Sequence, residues 1–99
     1  MVNVSKFDVA EYLDRPKMIA AYLTEAFATN DQAFIMVAIG DVARAKGIAD
    51  VAKDTGLSRE SLYKSISGNT KPEFDTVRKL LGSFGLKMVV EPDDEAKAA

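Results

Sequence analysis

Apolar residues return with helical spacing in five separate stretches of this chain, and the gaps between them hold glycine, proline or helix-capping residues. Ile19, Tyr22, Leu23, Ala26 and Phe27 recur at i, i+3, i+4, i+7 and i+8, one face of a 3.6-residue period. Asp14 as N-cap and Pro16 in the first turn, where a missing N–H costs no hydrogen bond, predict its start, and Asn30 its end. A second stripe, Phe34, Ile35, Ala38, Ile39 and Val42, is capped by Asp31 and stopped by Gly47, with Arg44 and Lys46 suited to the negative helix end. Gly40 inside it is roughly 1 kcal/mol less favourable than alanine, and a close crossing of another helix would account for it. Ile48, Val51 and Ala52 mark a third, short helix ending at Gly56, and Leu62 and Ile66 a fourth beginning after Ser58. Beyond the breaker-rich loop Gly68-Asn69-Thr70-Lys71-Pro72, the fifth helix carries Phe74, Val77, Leu80, Leu81 and Phe84. Gly82 weakens its last turn and Gly85 ends it. The aromatics Tyr12, Tyr22, Phe27 and Phe34 lie on such stripes and are expected in the core.

The two ends follow different patterns. Leu86 to Val90 is too short for a helix after a glycine stop and is predicted to be a strand. A lone strand has two open edges. Three partners are open to it: the alternating N-terminal stretch Val2 to Phe7, the same strand of a second subunit, or another protein. Residues 8–14, DVAEYLD, can form a turn of helix. Acidic, small and polar residues at the far end predict a disordered tail over 93–99, after one domain spanning 1–92.

The segment from Gly47 to Gly68 stands out, because two short helices pinned at a glycine turn make a helix-turn-helix pattern. Gly56 supplies the left-handed conformation at a helix end, Leu57 drops beneath the turn, and Ser58 caps the next helix. In such a unit the N-terminal residues of the second helix reach base edges. Arg59, Glu60 and Lys64 are the sharpest candidates: arginine and lysine donate to guanine and glutamate accepts from cytosine. A solvated face with a Glu60–Lys64 pair, worth about 0.2–0.5 kcal/mol, is the alternative. Ser58 and Ser61 can also donate to phosphate, as can Asn69, Thr70 and Lys71 from the following loop, which otherwise is an ordinary polar turn. For Tyr63 two readings stand, contact with a thymine methyl or sugar and packing against Phe74 or the loop.

Composition narrows the chemistry. There is no cysteine and no histidine, which removes disulfides, thiolate zinc sites and the commonest general base. No nucleophile has a histidine partner and no glycine-rich phosphate loop is present, so neither catalysis nor a cofactor or metal is expected. Neither a membrane span nor a secretory signal is legible, and the chain reads as cytoplasmic. The net charge of −2 disfavours a strong electrostatic grip on nucleic acid. Its distribution softens this: residues 1–46 carry five basic and six acidic groups, 47–90 seven and five, and 91–99 one and four. The segment containing the two-helix unit is the only net-positive third, and weakly so. DNA binding by a lone chain should be weak, and a dimer presenting two half-sites is expected.

The stretch Leu57 to Gly68 resembles the recognition segment of the phage-repressor and Cro-like Xre helix-turn-helix family. A closer likeness covers Phe7 to Pro92: FDVAEYLD, IAAYLTEA, AIGDVARAKG and LSRESLYKSISG are similar to the probable addiction-module antidote proteins, HigA-like antitoxins encoded beside small RelE-fold toxins. The resemblance implies an all-α, five-helix repressor-like fold, a homodimer on the operator DNA of the module's own promoter, and neutralisation of a RelE/HigB-like toxin. It places Ser58 at the opening of the recognition helix, Arg59 and Glu60 as the base-reading pair, Lys64 at a later base- or phosphate-reading position, and Lys71 in a phosphate-contacting loop. Two positions depart from the repressor pattern. Ile48 stands where many repressors have a phosphate-clamping glutamine, and Ser65 where they bury an aliphatic side chain. Two alternatives remain open, a free-standing Xre-type regulator and a toxin-inhibiting module with little DNA binding.

Overall fold

The computed structural model describes residues 13–94, in which five helices follow one another: α1 (Pro16–Ala28), α2 (Gln32–Lys46), α3 (Ile48–Thr55), α4 (Arg59–Ile66) and α5 (Phe74–Ser83). The described residues are all-helical, as expected. The Val2 to Phe7 segment, Tyr12 and the end of the tail lie outside them. No helix among them is long and apolar enough to cross a membrane.

Local chemistry accounts for most boundaries. The Asp31 carboxylate accepts from the Phe34 N–H at 3.2 Å, satisfying one orphan donor at the start of α2. Pro16 occupies the first position of α1, but the cap is the extended Arg15, which has no side-chain capping bond; Asp14 lies one residue too early and pairs with Arg15 at 3.4 Å instead. Asn30 takes the left-handed φ of 56° just past α1. At the end of α5 the Gly85 N–H donates to the Gly82 carbonyl and the Leu86 N–H to Leu81, both at 3.0 Å. This is the paired closure that a left-handed glycine permits, and Gly85 has φ 83°.

Helix α2 lies at the centre, packed against α1, α3 and α4, while α3 also touches α4 and α5. One core results, in which Ile19, Ile39, Val42, Leu62 and Leu80 are fully buried. Serving three neighbours, α2 buries a broader face than its predicted stripe, adding Met36 and Ala43. Leu13, ahead of α1, is also buried. Tyr22 ties α1 to α2 by donating its hydroxyl to Asp41 at 2.8 Å. Burial, then that hydrogen bond and the neighbouring carboxylate charge, push the Tyr22 hydroxyl up to about 12.

Three expectations fail here. The predicted strand over Leu86 to Val90 is absent: among the described residues there is no strand, and the backbone of Lys87 to Val90 makes no hydrogen bond with them. Extended propensity is local, but a strand exists only by pairing with another segment. Phe27 and Phe34, expected in the core, are 37% and 51% exposed. Phe34 sits in the first turn of α2, where it borders a shallow groove against α1 rather than entering the core. Phe74, the first residue of α5, is 67% exposed for the same reason of position.

Candidate nucleic-acid interface

Helices α3 and α4 are joined by Gly56, Leu57 and Ser58, and the bonds in this turn fix how α4 leaves it. Gly56 closes α3 in the left-handed conformation (φ 78°), its N–H donating to Ala52 at 2.9 Å. Thr55, the buried polar residue of the core, spans the corner: its hydroxyl donates to the Val51 carbonyl at 2.8 Å and accepts from the Leu57 N–H at 3.2 Å. Ser58 is extended, and its Oγ accepts from the Ser61 N–H at 3.0 Å. The expected cap is therefore formed. Thr55 continues the inward stripe of Ile48, Val51 and Ala52 at i+7, but as a polar residue it escapes a search for apolar periodicity.

Helix α4 is seated by Leu62 and Ile66, both buried. Successive residues turn by about 100°, so Glu60 and Lys64 point nearly opposite that buried edge, while Arg59 and Tyr63 share one flank. Arg59, Glu60, Ser61, Tyr63 and Lys64 are all exposed. The Glu60–Lys64 ion pair does not form, and among the described residues the charged groups of Arg59, Glu60 and Lys64 hold no partner. Tyr63 is 50% exposed rather than packed away.

The depth of α4 is set by a glycine. A Cβ at Gly40 would stand 3.2 Å from the Ile66 Cβ and 3.3 Å from the Ile66 carbonyl oxygen, so the last turn of α4 crosses α2 where no side chain intervenes. The predicted close crossing is thus present, and it positions the exposed helix. Ser65 donates to the Ser61 carbonyl at 2.9 Å, which satisfies a half-buried hydroxyl at the position where the repressor pattern has an aliphatic side chain.

The loop after α4 divides its predicted residues. Thr70 donates to the Lys64 carbonyl at 3.2 Å, Ser67 donates to the same oxygen at 2.9 Å, and the Asn69 N–H donates to Ser67 Oγ at 3.2 Å. Thr70 therefore fastens the helix end, leaving the Asn69 and Lys71 side chains exposed beside it. Ile48, at the start of α3, is half-buried against the core and presents no polar group at the phosphate-clamp position. The arrangement can offer three cations, one carboxylate and several hydroxyls from a firmly held helix and its flanking loop.

These features define a small protein, helical throughout the regular structure of its described residues, that presents the polar face of one short helix from a two-helix turn. The chain belongs to the family described as “Probable addiction module antidote protein”, whose model matches residues 3–92. It is 41% identical over 89 residues to an uncharacterized protein of Haemophilus influenzae (strain ATCC 51907 / DSM 11121 / KW20 / Rd), covering 90% of this chain and 92% of the relative. No solved structure matches. Membership of this family supports an antitoxin role, and an antidote implies a toxin partner.

Proposed function

We propose that this chain is the antitoxin of a type II toxin–antitoxin module, a cytoplasmic protein that binds operator DNA as a dimer, represses its own operon and neutralises a RelE/HigB-like toxin. The observation that carries the DNA half is the set Arg59, Glu60 and Lys64, without a charge partner among the described residues, on a helix whose N-terminus, turn and depth are each held by a separate contact. A helix backbone held in place, carrying free donors and acceptors, suits base readout, because the backbone need not be ordered on binding and only the side chains are. Ser58 and Ser61 at the start of α4, with Asn69 and Lys71 in the loop, are assigned to phosphate. In this helix-turn-helix reading the protein acts by binding, without catalysis. A gel shift on the module's upstream promoter tests it: Arg59→Ala should weaken specific binding by about 1–3 kcal/mol and relax discrimination at one position. Equal binding to every sequence by wild type and variant would remove the assignment.

The net charge of −2 and the apolar Ile48 favour a second reading, a toxin inhibitor with little DNA role. Co-expression separates the two. Under the first reading the double variant Arg59→Ala, Lys64→Ala still protects cells from the toxin but no longer represses the promoter. Under the second, the wild type never represses.

A further inference from the structure

The segment after α5 exposes apolar side chains and unbonded backbone together. Met88, Val89 and Val90 are 46%, 65% and 97% exposed. The backbone groups of Lys87 to Val90 bond to nothing among the described residues. The same segment walls an open groove of ≈ 600 Å³ whose other sides include Leu23 and Phe27 of α1 and Leu81 of α5. Free ladder groups and exposed β-formers beside an apolar bed call for a strand, and the charges in the segment say which one.

We propose that Leu86 to Pro92 pairs antiparallel with the same segment of a second copy of this chain, about a two-fold axis at Val89, and that this ribbon is the dimer contact. Two-fold pairing presents the same patch on both sides, so one segment supplies both strands. With the axis at Val89, Lys87 faces Glu91 of the second copy, twice, and Met88 faces Val90. Moving the axis to Met88 sets Glu91 against Gly85 and Lys87 against Val89, with no charged pair left; moving it to Val90 pairs Lys87 with Asp93 but sets Glu91 against the apolar Val89, so only the Val89 axis matches both charged residues within Leu86 to Pro92. The register also suits the proline. If Val89 and the Lys87–Glu91 pairs are the hydrogen-bonded kind, Pro92 falls opposite Leu86 at a non-hydrogen-bonded position, where its missing N–H faces away from the partner strand. A two-stranded ribbon is marginal alone in water, and the groove provides the helical surface it needs. The proposal names the contact for the dimer assumed in the antitoxin reading, and so rests on that reading.

Charge reversal in the full chain tests the register. Light scattering on size-exclusion chromatography should show wild type as a dimer, and Lys87→Glu and Glu91→Lys alone should each weaken dimerisation roughly tenfold, because every change converts two attractive cross-strand pairs into two repulsive ones. Mixing the two variants should give heterodimers well above the statistical share in native mass spectrometry, since both cross-strand pairs are again opposite in charge. The double variant K87E/E91K should recover the dimer. Lys53→Glu, with the same charge change on α3, should leave dimerisation unaltered. Single variants that dimerise as wild type does, or a mixture without excess heterodimer, would overturn the ribbon. If such variants also shift operator DNA normally, the antitoxin reading survives that failure. Excess heterodimer without any operator binding would keep the ribbon and remove the DNA role, and a wild type that stays monomeric at high concentration would remove both.

Discussion

Alanine at Gly40 brings two opposing effects into one methyl group. Helix propensity favours alanine in a helix interior by about 1 kcal/mol. Against this, the new Cβ would lie 3.0 Å from Arg44 Nη1, 3.2 Å from Ile66 Cβ and 3.3 Å from the Ile66 carbonyl oxygen. Arg44 is exposed and can swing aside. Ile66 cannot, because it is 2% exposed and its contacting atoms are its own backbone and branch point. The last turn of α4 must therefore move by a few tenths of an ångström, and overpacking of that kind typically costs about 1–3 kcal/mol. The net expectation is a loss of about 1 kcal/mol. Gly82 is the internal control, since a Cβ there meets nothing within 4 Å; alanine at that position should stabilise by up to about 1 kcal/mol. The two variants, identical in chemistry, should thus differ by about 2 kcal/mol, roughly 8–16 °C in Tm for a chain of this size. Urea unfolding followed by helical circular dichroism measures the difference, at one fixed protein concentration because self-association shifts apparent stability. Gly40→Ala as stable as Gly82→Ala would show that the α2–α4 crossing has room to give, and the account of how α4 is seated would fail.

Further predictions concern the cap, the interhelical hydroxyl and the base-reading arginine. Ser58→Ala should cost about 0.5–2 kcal/mol in urea unfolding, whereas Ser58→Asp retains a capping oxygen and should keep most of that stability. If DNA phosphate approaches there, the aspartate should still weaken operator binding in a gel shift; undiminished binding would make Ser58 a cap only. Tyr22→Phe should cost about 1 kcal/mol at neutral pH by leaving Asp41 without its donor. Because the folded-state value of about 12 lies above the ordinary 10.0, the hydroxyl's contribution is complete below pH 10 and is lost as pH rises from there through 12. The wild type should thus lose its advantage over Tyr22→Phe across that window, and a constant difference in urea midpoint would contradict this origin. Arg59→Ala should leave the unfolding curve within about 0.5 kcal/mol of wild type, since the residue is exposed and unpartnered, so its loss of operator affinity can be read without a stability correction.

The parts legible in the sequence were those decided within a few residues. Asp31 and Ser58 cap helices by bonds to residues three positions on, and Gly56 and Gly85 end helices by their own backbone angles. The candidate face was legible for the same reason: Leu62 and Ile66 mark the inside of α4, which leaves Glu60 and Lys64 outside. Thr55 and Thr70 were harder to see, because the bonds of a hydroxyl that bridges a corner or closes a helix end leave no mark in an apolar pattern, even though Thr55 stands at i+7 on the stripe of Ile48, Val51 and Ala52. The Asp14 cap was misplaced by one residue, and the aromatic rings of Phe27, Phe34 and Phe74 were assigned to the core because periodicity reports a direction around the helix, not whether a neighbour stands there.

By itself, then, the sequence determined five helices, their main stops, the inward edge of each and the polar character of α4. These follow from capping chemistry and the 3.6-residue period, both local. Only the tertiary structure decided that Gly40 is the contact on which α4 rests, that Arg59, Glu60 and Lys64 have no charge partner among the described residues, and that Leu86 to Val90 pairs with no strand among them. Each of these depends on what lies across space, where helix crossing distances and strand pairing are settled by segments far apart in the chain.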